Sequence, residues 1–101
     1  MMQVSLIAGS GNTTEAVSVS STSAPTTQPL TGSYAVVTPS VDCFMTRGAS
    51  PTAVVPSAGV PGGAPLLAGM QYRVGGLQPS DKLAFVCAAG TTGTVYVTPG
   101  A

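Results

Sequence analysis

Apolar and polar residues alternate with a period of two along most of this chain, which predicts strands rather than helices. In residues 70–74, the pattern predicts that Met70, Tyr72 and Val74 point inward, while Gln71 and Arg73 point to solvent or a neighbour. No window has a convincing helical period, and the many glycines and prolines would interrupt a helix. Strands are predicted at residues 3–8, 15–19, 34–38, 41–47, 52–55, 70–74, 82–87 and 94–98.

The spacing of the turn residues indicates how these strands are assembled. Glycine, proline, asparagine and serine separate the segments at intervals typical of a sandwich, a jelly roll or a small barrel. Residues 82–87 and 94–98 flank a loop containing Gly90 and Gly93, which predicts a C-terminal hairpin. The length suits one domain. We therefore predict an all-β fold: a single small β-sandwich or jelly-roll-like domain over residues 1–101, with about eight short strands and an extended N-terminal segment.

Two segments lack the strand pattern. Residues 20–30 are rich in serine, threonine and proline, which predicts an extended connection or a mobile arm. Residues 55–65 are rich in proline and glycine, apolar and uncharged. This second loop either folds back on its own sheet or is covered by a neighbouring subunit.

The alternating pattern also predicts which side chains form the core of the assembled protein. The positions expected to be largely buried are Val17, Val36, Met45, Tyr72, Val74, Leu83, Phe85, Val95 and Val97.

Charged residues are scarce, and this scarcity bears on function more than any motif does. Only six of the 101 residues are charged, the formal net charge is zero and the mean hydropathy is +0.41, whereas about 25% of an ordinary domain is charged. A surface this poor in charge favours association with copies of itself or with a larger assembly. We expect a structural subunit.

The same composition argues against two classes of partner. Nucleic-acid binding requires clustered basic residues, and the three here, Arg47, Arg73 and Lys82, are scattered. No apolar run approaches the ~20 residues of a membrane-spanning helix, and the N-terminus lacks the pattern of a signal peptide. The expectation is residence in the cytosol, or assembly there into a particle.

No constellation for catalysis is found. The chain has no histidine, so an ordinary catalytic triad is excluded. Its only lysine, Lys82, follows Asp81 in a predicted turn, where a solvated pair is expected. The carboxylates of Glu15, Asp42 and Asp81 lie on separate elements. We predict no catalytic residues, no cofactor and no enzymatic activity.

Cys43 and Cys87 each lie within an apolar stretch. This favours two buried reduced thiols acting as small hydrophobic residues, with a disulfide between facing strands as the alternative. Without histidine or a CxxC motif the chain offers no zinc-ligand set, and no metal site is predicted.

Several segments share strand-and-turn patterns: the polar, Gly/Ser/Thr-rich start, the strand patterns of residues 34–39 and 41–48, the segment 66–74 and the closing segment 93–99. Together these segments resemble small virion proteins of tailed bacteriophages. Among such proteins, the chain is most similar to capsid decoration (cement) proteins. This resemblance implies a compact β-sandwich or jelly-roll subunit, commonly a homotrimer, that clamps neighbouring major capsid subunits. It also implies a location in the virion, assembled in the host cytoplasm, and carries over no active-site residues.

Two alternative functions follow from the same sequence. A phage neck, head–tail adaptor or head-fibre base component has a similar small β-rich design, and it differs in ring symmetry. A carbohydrate-binding β-sandwich module would use Tyr34, Tyr72 or Tyr96 as a stacking face, although core or interface packing is the favoured interpretation of these tyrosines.

Overall fold

A computed structural model of the chain describes residues 14–27, 34–78 and 80–100. All regular secondary structure in these ranges is β-strand, which confirms the all-β prediction. The strands are β1 (Glu15–Val19), β2 (Ala24–Pro25), β3 (Tyr34–Pro39), β4 (Cys43–Gly48), β5 (Ala64–Leu66), β6 (Tyr72–Val74), β7 (Lys82–Val86) and β8 (Gly93–Gly100). Within these ranges there is no helix long and apolar enough to cross a membrane.

The strands form two antiparallel sheets of four. Sheet A has the order β1-β8-β3-β6, and sheet B has the order β2-β7-β4-β5. The pairing is nested, because β1 pairs with β8, β2 with β7, β3 with β6 and β4 with β5. Additional pairing of β3 with β8 and of β4 with β7 joins these pairs into the two sheets. Consecutive strands other than β4 and β5 therefore lie in different sheets.

The core forms where alternate side chains of the two sheets meet. In sheet A, Val95 lies opposite Val17, and Val97 lies opposite Val37. In sheet B, Phe85 is fully buried. We call the resulting group the interior cluster; its buried members are Val17, Val19, Ala35, Val37, Cys43, Leu66, Leu77, Leu83, Phe85, Cys87, Val95 and Val97. Because both sheets contribute to this one cluster, they pack against each other in the manner of a sandwich.

Most of the predicted core positions are buried in the single chain. Leu83, Phe85, Val95 and Val97 are fully buried and Val17 is nearly so, while Val36 is buried on the outer face of sheet A, outside the interior cluster. Met45, Tyr72 and Val74 are partly buried and pack against the interior cluster. The inward orientation predicted for Met70 is wrong, since 51% of this residue is exposed. Met70 lies in the turn before β6, so the strand alternation does not reach it.

The predicted C-terminal hairpin is wrong. β7 lies between β2 and β4 in sheet B, whereas β8 lies between β1 and β3 in sheet A. Both strands are central in their sheets, so neither has a free edge for the other. The loop of residues 87–92 crosses from one sheet to the other. A short loop that contains glycine can join two neighbouring strands of one sheet or two strands of different sheets, so the loop alone does not distinguish a hairpin from a crossing.

Two further segments differ from the sequence prediction. Residues 52–55 are not a strand, because they run across the outer surface of sheet B without pairing. Residues 20–30 include the short edge strand β2, and Thr26, which follows it, is buried. The rest of that segment, residues 28–30, and the strand predicted at residues 3–8 lie outside the described residues, as does most of the N-terminal segment.

Candidate functional site

The exposed large apolar side chains are concentrated in one part of the chain. Of the six found among the described residues, five lie between positions 54 and 70; they are Val54, Val55, Val60, Leu67 and Met70. This part belongs to a stretch of 25 residues, 48–72, that contains no charged side chain. Exposed apolar side chains that cluster in this way mark a candidate interaction surface.

Three of these residues lie on a projecting loop of residues 54–63, which we call the apolar protrusion. Its base is closed by a hydrogen bond of 2.8 Å from the Gly63 amide to the Val54 carbonyl. Near its tip, Ser57 and Val60 exchange backbone hydrogen bonds of 3.1 and 2.9 Å. Between them, Gly59 has a φ of 76°, a conformation that tight turns require and that glycine adopts without strain. The protrusion is therefore a defined miniature hairpin.

Two consecutive glycines allow the protrusion to approach its own base and strand β4. A Cβ atom at Gly62 would collide with the Val54 carbonyl oxygen and with the backbone of Pro56. A Cβ atom at Gly63 would lie 2.8 Å from the Met45 carbonyl oxygen. Backbone atoms cannot move aside as the end of a flexible side chain can. The Gly62-Gly63 pair in the sequence thus marks a close backbone approach rather than a flexible loop.

The residues just before the protrusion cover the outer face of sheet B. Ala53 is buried against Ala84 and Val86, and Phe44 packs against the same group. The Ala53 amide donates a 2.8 Å hydrogen bond to the Ser23 hydroxyl, which ties the cover to the β1–β2 connection. The apolar stretch therefore begins folded back on its own sheet. It continues into a protrusion whose valines are left exposed.

The remaining two exposed residues, Leu67 and Met70, belong to a tight turn that is held in place. The Ala68 amide donates to Asp42 Oδ1 at 2.8 Å, and the Gly69 amide donates to the Pro39 carbonyl at 2.9 Å. The Leu67 amide donates to the Tyr72 hydroxyl at 2.8 Å. These bonds fix the backbone while 57% of Leu67 stays exposed.

The protrusion precedes strand β5 and the turn follows it, while Val54 and Val55 at the base of the protrusion also line a cleft with Ser21, Thr22 and Pro25 beside β2. Strand β5, which connects them in sequence, is the edge strand of sheet B, and β6 is the corresponding edge of sheet A. The opposite edge is formed by β1 and β2, which contact each other. We call the exposed group of Val54, Val55, Val60, Leu67 and Met70 the β5-side surface. It is apolar, uncharged and carried by well-defined backbone.

Most of the charged side chains make hydrogen bonds within the chain. Glu15 Oε2 accepts hydrogen bonds from the Thr27 amide and hydroxyl at 2.9 and 3.1 Å. Asp81 Oδ2 accepts from the Gln78 amide at 2.9 Å. Arg47 donates to the Gly75 and Gly76 carbonyls, at 2.8 and 3.0 Å. With Asp42 holding Ala68, all three carboxylates accept hydrogen bonds from backbone amides, a structural role.

The three tyrosines do not form one stacking face. The side chain of Tyr72 points into the sandwich, whereas Tyr34 and Tyr96 belong to the outer face of sheet A. Tyr34 is buried, with the Arg73 guanidinium carbon 4.2 Å from the centre of its ring. Only Tyr96 is substantially exposed. A single exposed ring is a poor platform for a sugar.

Both cysteines are buried as free thiols. Burial, and to a smaller extent the neighbouring Cys87 and Asp42, raises the pKa of Cys43 to about 11, and burial also raises the pKa of Cys87. Such thiols stay protonated at neutral pH and are poor nucleophiles for as long as they remain buried. Among the described residues no three potential metal ligands of the His, Cys, Asp or Glu type come together.

Comparison of the chain with family models, with curated proteins and with solved structures finds no match. Its function is therefore argued from its own residues. The β5-side surface had a partial signal in the sequence, namely the uncharged apolar loop of residues 55–65. The contribution of Leu67 and Met70 was missed, because alternation placed Met70 inside the protein and drew no attention to Leu67.

Proposed function

We propose that this chain is a non-enzymatic structural protein of a virion, a capsid decoration or cement protein. It self-associates as a homotrimer and stabilises contacts between major capsid subunits of a particle assembled in the host cytoplasm. The observation that carries the proposal is the β5-side surface, where five exposed apolar side chains share a 25-residue stretch without charge. A surface of this kind is suited to burial against protein rather than to exposure in water.

Association would remove the β5-side surface from water, and this burial stabilises the assembly. Fully burying a valine, leucine or methionine side chain contributes about 1.5–3 kcal/mol. Each copy offers five such side chains that are one-third to nearly three-fifths exposed. Because the hydrogen bonds described above fix the backbone beneath them, little ordering entropy opposes their burial. The zero net charge leaves no overall repulsion between copies.

The strand connectivity supports the jelly-roll form of this proposal. A chain that folds into one long antiparallel pair, with its turn between β4 and β5, and is then wrapped into two sheets yields the nested pairs observed here. We therefore propose a jelly roll of eight strands. Jelly rolls occur in viral capsid proteins, but also in lectins and cupins. The fold is compatible with a capsid role and does not by itself select it.

The use of the charged residues supports a role without catalysis. Glu15, Asp42 and Asp81 lie in different parts of the fold, and each accepts a hydrogen bond from a backbone amide. The two thiols are buried and protonated. We propose accordingly that the chain acts through its surface, by binding copies of itself and other virion proteins.

The experiment that tests this function has two parts. The native mass of the purified chain, followed by light scattering over a dilution series, is expected to be three times the chain mass of 9.9 kDa. Electron microscopy of the trimer added to phage heads that lack it should then show density where capsid subunits meet. A ring of six or twelve copies would instead favour a neck or head–tail adaptor component. A monomer at all concentrations would contradict the proposal.

A further inference from the structure

The register of sheet B brings the two cysteines of the chain face to face. Cys43 is the first residue of β4, and Cys87 directly follows β7. Phe44 pairs with Val86 in this antiparallel ladder, so Cys43 and Cys87 are the next facing positions. Both side chains belong to the interior cluster, with 1% and 0% of their surface exposed. The effect of Cys87 on the pKa of Cys43 reflects the same proximity.

The direction of the backbone hydrogen bonds shows which kind of facing pair this is. Leu83 exchanges hydrogen bonds with Thr26, beyond β2, and the Cys87 amide donates to the Ser20 carbonyl at 2.7 Å. Alternate residues of a strand point their amides to the same side, so at both Leu83 and Cys87 the amide faces away from β4. Cys43 and Cys87 are therefore a non-hydrogen-bonded pair.

This geometry matches the requirements of a disulfide. Non-hydrogen-bonded pairs have Cα atoms about 4.5 Å apart and their side chains at the closest approach found in antiparallel sheets. Disulfides span Cα separations of about 4.4–6.8 Å. The pair lies at the end of the sheet, where Cys87 leads into the exposed turn at Ala88, Ala89 and Gly90. Because both thiols are buried, the reaction requires a transient opening of that turn, which would let a thiol ionise and meet a small oxidant.

We propose that Cys43 and Cys87 are a modification site, a latent cross-strand disulfide that links β4 to β7 when the protein meets hydrogen peroxide. The peroxide oxidises one thiol to a sulfenic acid and releases a water molecule. The other thiol then attacks the sulfenic sulfur, and a second water leaves as the S–S bond forms. In sum, two thiols and one peroxide give one disulfide and two waters. This inference does not depend on the proposed function.

The test compares the reduced chain with the chain incubated in hydrogen peroxide under native conditions. Mass spectrometry without reduction should find the segments containing Cys43 and Cys87 joined, with a loss of about 2 Da, and alkylation after unfolding should add no label; oxidation of the exposed Met70 adds mass away from the cysteines and is scored separately. The melting temperature should rise by roughly 10 °C, because a disulfide closing a long loop restricts the unfolded chain. Dithiothreitol should reverse all three changes.

Two outcomes would overturn the proposal. One is recovery of two alkylatable thiols per chain after the peroxide treatment. The other is oxidation that ends in a mass gain, as sulfinic or sulfonic acid, or in covalent dimers. Cys43→Ser and Cys87→Ser serve as controls, since neither leaves an intrachain partner and neither should gain thermal stability from peroxide. If these variants fail to fold, the mass measured for the wild-type chain still shows whether the Cys43–Cys87 disulfide forms.

Discussion

The outer faces of the two sheets differ sharply, although the sheets contribute to one core. The outer face of sheet A carries Thr14 and Thr98, whose hydroxyls share a 2.7 Å hydrogen bond, the exposed Tyr96, and the buried Tyr34 and Val36. The outer face of sheet B carries Ala84 and Val86, which are buried with Ala53 packed against them. Sheet A therefore has a mixed outer face, whereas the middle of sheet B is covered by a second layer of chain.

Strands β8 and β7 illustrate the difference. β8 alternates, with Val95 and Val97 buried and Tyr96 exposed between them. In β7, four consecutive residues from Leu83 to Val86 are buried, because a strand covered on both faces need not alternate. β3 of sheet A also has four consecutive buried residues, Tyr34 to Val37, so the contrast applies to β8 and not to all of sheet A. The stretch that supplies the cover is itself apolar and longer than the cover requires. The part of this stretch that does not cover the sheet forms the protrusion, whose valines remain exposed.

The largest effect is expected from the interior cluster, on which both sheets depend. Phe85 is fully buried between them. Replacing it with alanine should lower the free energy of unfolding by about 3–5 kcal/mol, through lost burial and the cavity left behind. Chemical denaturation measures this directly. A loss below 1 kcal/mol would show that Phe85 does not occupy the core.

A smaller loss of stability should distinguish the outer face of sheet B from the outer face of sheet A. Val86→Ala removes apolar atoms that are buried under Ala53, and it should cost about 2–3 kcal/mol. Tyr96→Ala, on the outer face of sheet A, removes a larger side chain that is 48% exposed, and it should change stability by less than about 1 kcal/mol. Equal losses for the two variants in the same denaturation assay would refute the difference between the faces.

The attachment of the protrusion to sheet B should give a loss of about 1–3 kcal/mol. Gly63→Ala places a methyl group against the backbone of Met45 and forces the protrusion away from β4. Gly75→Ala is the matched control, since a methyl group there meets no atom within 4 Å. Thermal unfolding of both variants checks the prediction. A neutral Gly63 variant would mean that the protrusion is not seated as described.

The smallest expected effect is a dependence of the free energy of unfolding on pH, which tests the burial of the Cys43 thiol in the interior cluster. Burial raises the pKa of Cys43 from its ordinary value of 9.0 to about 11. Its contribution to stability is therefore intact below pH 9 and is lost as the pH rises through about 11, because the unfolded chain ionises first. Denaturation at a series of pH values should show a steeper decline for the wild type than for Cys43→Ala. Parallel curves would contradict a buried thiol at this position.

Much of the fold was accessible from the pattern of the sequence. The predicted segments 15–19, 34–38, 41–47, 82–87 and 94–98 each correspond to an observed strand within a few residues, because each is an alternating or largely apolar run of five or more residues between turn-forming residues. The residues of β2 and β5 were assigned to irregular segments. Both strands are very short, and each contains a proline, Pro25 and Pro65, which is tolerated because both are edge strands.

The remaining differences come from tertiary context. Residues 52–55 have the composition of a strand, yet they cover a sheet instead of joining one, and sequence composition does not distinguish these roles. The crossing between β7 and β8 depends on partners far away in sequence, namely β2 and β4 for one strand and β1 and β3 for the other. For the candidate site, the absence of charge in residues 55–65 pointed to a covered loop. Which of its side chains stay exposed depends on how the Gly62-Gly63 pair seats it.

The central claim is that the β5-side surface drives self-association, and native mass tests it most directly when paired with substitutions on the two sides of the molecule. Val60→Asp adds a charge to the protrusion, at a residue that is 51% exposed. Ser18→Asp adds the same charge to the outer face of sheet A, where Ser18 is also exposed. Light scattering should find trimers for the wild type and for Ser18→Asp, and monomers that remain folded for Val60→Asp. A trimer that withstands Val60→Asp but is lost in Ser18→Asp, or a wild-type chain that is monomeric at every concentration, would contradict the claim.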